Sequence, residues 1–160
     1  MKNTKRIAAL VLTLVLVLSF AACSLAEKTV VLRGDLTEDM AGIPTTDTWT
    51  LNAKGDIVKT LNEVYTFDFT DFDEESKAYD IELIASILVD PAKGIAGVEC
   101  SDRMDGDTYV VELTIDCNSD TVNAAVEAGL LALESGSSAT IISLKQTISS
   151  LESQGYEVVE

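Results

Sequence analysis

From Thr29 onward, apolar and polar residues alternate in short runs. Thr29–Arg33 has the composition of a strand, and Thr48-Trp-Thr-Leu-Asn-Ala53 sets Trp49, Leu51 and Ala53 on one face. Ile57–Phe69 is long enough for a strand crossing a whole sheet, with Leu61, Tyr65, Phe67 and Phe69 sharing parity. Lys54-Gly55 is the expected turn between these two strands, and Gly34–Thr46, with Gly42 and Pro44, is a polar connection. A second hairpin is expected from Gly97–Arg103 and Asp107–Cys117, turning at Asp105-Gly106.

Elsewhere the period is helical. Asp71, three residues before Glu74, suits a capping box, after which Ala78, Ile81, Ile84, Ala85 and Leu88 line one face until Asp90-Pro91. Asn118 or Ser119 caps a second helix through Val122, Ala125, Val126, Gly129, Leu130 and Leu133, closed by Gly136. Ser137–Thr140 is a polar break. Ser143-Leu-Lys-Gln146 opens a third helix through Leu144, Ile148 and Leu151, ended by Gly155, and Tyr156–Glu160 supplies a short edge strand. Strands and helices come in blocks, which predicts an α+β fold: one antiparallel sheet, a meander plus a hairpin, packed against about three helices.

The first 22 residues follow another rule. Lys2, Lys5 and Arg6 precede the apolar run Ile7–Phe20, then Ala21-Ala22-Cys23, the layout of an export signal. Cleavage before Cys23 would leave that cysteine as the lipid attachment site of a membrane-anchored lipoprotein, although Phe20 stands where such signals prefer Leu, Val or Ile. Ser24-Leu25-Ala26 offers ordinary secretion as the alternative, and an uncleaved anchor is a third. All three put the rest of the chain outside the cytoplasm. The expected division is therefore 1–22 signal, 23–28 short tether and 29–160 a single domain, a monomer lipid-anchored on the extracytoplasmic face of the cell membrane.

Charge narrows the partners. Three of the 11 Lys and Arg lie in the signal, so the remainder carries 8 − 27 = −19. Nucleic acid, which demands Lys and Arg, is excluded as a partner. The same balance argues against a domain lying flat on anionic lipid and allows a basic protein partner.

With no histidine, the commonest general base and metal ligand is missing. No serine sits in a nucleophile motif. Asp102, Asp105 and Asp107 form the best cation-like cluster, yet their spacing is that of a turn rather than a calcium loop. No metal, no cofactor and no enzyme is expected. A carboxylate hydrolase, the less favoured possibility, requires two acids converging in one cleft with shifted pKa values. Cys100 and Cys117 share the parity of Val98, Val111, Leu113 and Ile115. Pairing Cys100 with Val111 puts Cys117 about 20 Å along the strand, so both are expected as free thiols. Trp49, Tyr65, Phe67, Phe69 and Tyr109 are either core or the lining of a ligand groove; an uncovered side of the long strand would be the binding surface.

The stretch Ile142-Ser-Leu-Lys-Gln-Thr-Ile-Ser-Ser-Leu-Glu-Ser-Gln-Gly-Tyr156 resembles the ending of the YehR-like bacterial lipoproteins, also called DUF1307. Gly55-Asp56-Ile57-Val58-Lys59 before the long strand and Gly97-Val98 opening the hairpin follow a similar order. The resemblance spans about Thr29 to Val159. Phe20 and the acidic stretch Asp39–Asp47 depart from it. It implies a lipoprotein signal with one α+β domain in the cell envelope, and implies no activity. The expected role is a ligand- or partner-binding envelope module, with a structural or assembly factor using its acidic surface as the alternative.

Overall fold

Six strands, all antiparallel, form one sheet in a computed structural model that describes residues 26–132 and 141–159. The strands are β1 (Glu27–Asp35), β2 (Thr45–Lys54), β3 (Ile57–Asp68), β4 (Val98–Asp105), β5 (Thr108–Asp116) and β6 (Glu157–Val158). Their order is β4-β5-β3-β2-β1-β6. Helices α1 (Glu74–Ile84), α2 (Ser119–Glu127) and α3 (Leu144–Ser153) complete the α+β architecture. The expected signal and Cys23, and the predicted Leu133, Gly136 and Ser137–Thr140, lie outside the described residues.

The meander and hairpin are as expected; their details differ. Both turns sit one residue later than predicted: Lys54 pairs with Ile57 and Asp105 with Thr108. Cys100 therefore faces Leu113, not Val111, a two-residue slip that keeps every side chain on its face. Cys117 then lies four residues further, about 13 Å at the rise of a strand. Cys100 and Cys117 are both free and half-buried.

In β3, pairing skips Lys59 between Thr60–Asn52 and Val58–Ala53. That bulge reverses parity, so Val58 is buried with Leu61 while Ile57 is exposed. The freed Lys59 carbonyl accepts the Cys117 N–H at 2.8 Å.

One sheet face carries the core. Leu51, Leu61, Leu113 and Ile115 pack with Ala125, Leu144 and Leu151, and Phe67, Tyr109 and Val111 pack with Ile84 and Val89. The opposite face bears Thr46, Thr48, Thr50, Thr60, Asn62 and Thr66, and no helix among the described residues. An antiparallel sheet tolerates such a solvated face.

Helix ends shift for local reasons. The α1 cap is Asp73, accepting from the Glu75 and Ser76 N–H groups, two residues beyond Asp71. Residues 85–89 form a π turn, and the inward line becomes Lys77, Ile81, Ile84 and Leu88, leaving the predicted core residue Ala78 exposed. Asn118 is the α2 cap, and Gly129 at φ 78° follows a helix already finished at Glu127. Ser143 caps α3 as predicted.

Candidate functional site

Strand alternation puts two acids into the apolar layer. Asp47 lies two residues before Trp49 on β2, and Glu63 lies between Leu61 and Tyr65 on β3, all on the core face. Trp49 pairs with Glu63 and Asp47 with Tyr65, so the two carboxyls are close neighbours across the ladder. Asp47 is 0 % and Glu63 3 % exposed.

Each acid is held by aromatic donors. Trp49 Nε1 donates to Asp47 Oδ2 at 2.7 Å and Tyr156 Oη to the same oxygen at 2.6 Å. Tyr65 Oη donates to Glu63 Oε1 at 2.6 Å. Tyr156 comes from the segment joining α3 to β6 and lies over Gly34, where an added Cβ would stand 2.8 Å from its ring. Only glycine lets that ring approach β1 and reach Asp47.

Burial raises the pKa of both acids. Tyr156 and Trp49 oppose the rise at Asp47, whereas the neighbouring Asp47 charge adds to it at Glu63, which reaches about 8. At neutral pH Glu63 thus keeps its proton. Asp47 Oδ1 is the one buried side-chain oxygen among the described residues with no hydrogen-bond partner. Burial, followed by the charges of Glu63 and Asp47, lifts the Tyr65 hydroxyl far above its ordinary value. The chemistry available is the holding of one proton in a closed site.

The carboxylate-hydrolase requirement is met in part: two acids converge with shifted pKa values, but no cleft opens on them. A hollow among the described residues lies elsewhere, between Gly94–Gly97 and Asp116–Thr121. Neither acid was singled out from sequence, although their parity with Trp49 and Tyr65 was the available signal.

The sequence-derived candidates separate. Phe67, Phe69 and Tyr109 are core; Trp49 and Tyr65 are half-buried donors to the acid pair. Asp102 accepts from Tyr109 Oη at 2.9 Å, and Asp107 is 2.7 Å from Lys77 Nζ. No group of metal-ligating side chains occurs among the described residues. Burial pushes the Cys117 thiol up to about 11, and raises Cys100 as well.

Helix α1 has a second apolar side that sequence reasoning passed over. Tyr79, Leu83 and Ile87, spaced by four, are 67, 46 and 59 % exposed. Glu75, Glu82 and Asp90 flank them, and all three are exposed. On the inward side Ile81, Ile84 and Leu88 fix α1 to the Phe67–Phe69 core.

Two solved structures share this architecture. The NMR structure of the E. coli YehR protein aligns with a TM-score of 0.61 at 18 % identity, over 84 % of this chain and 91 % of that one. The chain has a YehR-like fold. An NMR structure of a protein from Streptococcus pneumoniae TIGR4 aligns at 0.56 and 15 % identity, over 83 and 85 % of the two chains. No protein-family model matches the chain, and no curated protein does. At these identities the likeness to YehR concerns the fold alone.

Proposed function

We propose that this chain is a YehR-like lipoprotein, anchored through lipid on Cys23 outside the cytoplasm, whose domain binds a protein partner and performs no catalysis. The apolar stripe Tyr79–Leu83–Ile87, presented on a helix fixed from behind, carries this assignment. Contiguous exposed apolar side chains rimmed by polar ones mark interaction surfaces. The rim of Glu75, Glu82 and Asp90 selects a partner with an apolar centre bordered by Lys or Arg. A second copy of the chain would bring the same acidic rim and be repelled. The sealed Asp47–Glu63 pair, closed to any substrate, supports a non-catalytic role.

Two measurements test this. Intact mass of the protein extracted from membranes is expected to show a diacylglyceryl-modified chain beginning at Cys23; an unmodified chain beginning elsewhere removes the anchor. A photo-crosslinking residue at position 83 or 87 in cells is expected to trap one protein. Its affinity for the purified domain should fall about tenfold or more in Ile87→Ser and fall with added salt. Equal trapping from Met104, an exposed apolar position on β4, would remove the stripe as the binding site.

A further inference from the structure

The buried acids have a thin cover on one side. Asp47 pairs with Gly34 across β1 and β2, and the Tyr156 ring lies over that glycine with its hydroxyl on Asp47 at 2.6 Å. The chain beyond Tyr156 adds little to the hold. Strand β6 pairs with β1 at two positions, Leu32–Val158 and Arg33–Glu157, and the Val159 N–H donates to the Val31 carbonyl at 2.8 Å. Glu157, Val158 and Val159 are all exposed, so their side chains contribute little burial. By contrast β2 and β3, which carry the two acids, pair at ten positions, and β5 closes the other side of β3. The sheet holds fast around the acids; the Tyr156 lid is the cover most easily lifted.

The surroundings hold no cation for a second charge. Glu63 is met by Tyr65 from its own strand, by Asp47 and Trp49 from β2 and, across the ladder, by Leu113 from β5. Asp47 is met by Tyr156 from the C-terminal segment, by Trp49 and Glu63, and by Gly34 from β1. No lysine or arginine stands among the groups acting on either acid, and no helix supplies one. Asp47 Oδ1 already lacks a hydrogen-bond partner. A carboxylate formed on Glu63 in such a place is relieved only by water. We infer that Tyr156 and β6 form a proton-operated latch, in which loss of the Glu63 proton is coupled to a local opening. The ring leaves Gly34, water reaches the acid pair, and the edge of β1 at Leu32 and Arg33 is uncovered. The closed latch keeps the proton and the open latch releases it. Opening therefore becomes more favourable as pH rises from 4.5, the unperturbed value, to about 8, and levels off above. The β2–β3 ladder stays paired throughout, as in other sub-global openings. An uncovered strand edge is a template for a further strand, so the proton controls access to β1.

Native-state amide hydrogen exchange of the purified protein between pH 5 and 9 tests the latch. Each rate is divided by the rate of an unprotected amide at the same pH. The corrected Val159 rate is expected to exceed those of the β2–β3 ladder, to rise about tenfold or more from pH 6 to 8, and then to level off. Glu63→Gln has no proton to release, and its corrected Val159 rate is expected to stay flat. Asp47→Asn removes the charge that helps to raise Glu63, so levelling is expected at a lower pH. Two outcomes in the wild type alone overturn the latch. A flat corrected rate means that β6 frays without exposing the pair, and a Val159 rate equal to that of the ladder means that the opening is global. A rise that survives Glu63→Gln overturns it as well.

Discussion

Between pH 4.5, the unperturbed value, and about 8, the folded chain keeps a proton on Glu63 that an unfolded chain releases. The folded state binds more protons across that window, so the contribution of this group to stability is complete below it, declines as pH rises through it, and levels off above. Glu63→Gln keeps the shape but cannot ionise. It is expected to match the wild type near pH 6 and to exceed it by about 2–4 kcal/mol at pH 9, read from urea unfolding at the two pH values. Tyr156→Phe removes a donor to the buried Asp47 carboxyl and should cost about 1–3 kcal/mol at pH 7 in the same assay. The aromatic neighbours of the pair were legible in the sequence because Trp49, Tyr65 and Leu61 share alternation with the core. Asp47 and Glu63 sit on that same alternation. They escape notice because a charged residue inside an apolar run is normally assigned to solvent, and their compensation comes from Tyr156, about a hundred residues distant in sequence.

The strands announce themselves through period-two alternation and Asp-Gly or Lys-Gly turns, and the helices through periodic apolar faces and caps such as Ser143. Exact register depends on which two residues occupy the turn, and that choice is made by tertiary pairing. The Lys59 bulge is invisible to alternation because it alters the count of residues without altering their type. Likewise the π turn at residues 85–89 is not announced by the apolar period, and Tyr79, Leu83 and Ile87 lie on the outside. The union of β1 with the C-terminal segment rests on one close approach. Gly34→Ala would push a methyl into the Tyr156 ring and is expected to destabilise by about 1–3 kcal/mol. Hydrogen exchange should show faster opening confined to β6 and the β1 residues Leu32 and Arg33 that pair with it; unaltered exchange there would mean the ring moves aside without consequence.

At the scale of the molecule, 27 acidic residues against 11 basic ones make self-repulsion a general term. Raising salt from about 0.02 to 0.5 M shortens the screening length severalfold and is expected to raise the urea midpoint of the domain. A midpoint that fell would indicate that local ion pairs such as Lys77–Asp107 outweigh repulsion. Total charge is plain from composition, whereas antiparallel pairing decides its neighbours, bringing Lys28 to the end of the sheet that holds Lys54 and Lys59 together with Glu27, Asp56 and Asp116. The Gly55 N–H donates to the Ala26 carbonyl at 3.1 Å, and that contact has a geometric corollary. A support that held Ala26 itself would meet the sheet at the Gly55 turn as its foot, with the Gly106 turn at the far end as its crown. Helix α1 begins beside that crown, through Lys77 and Asp107, so the molecule is built as a pedestal that lifts Tyr79 roughly a strand's length into the surrounding medium.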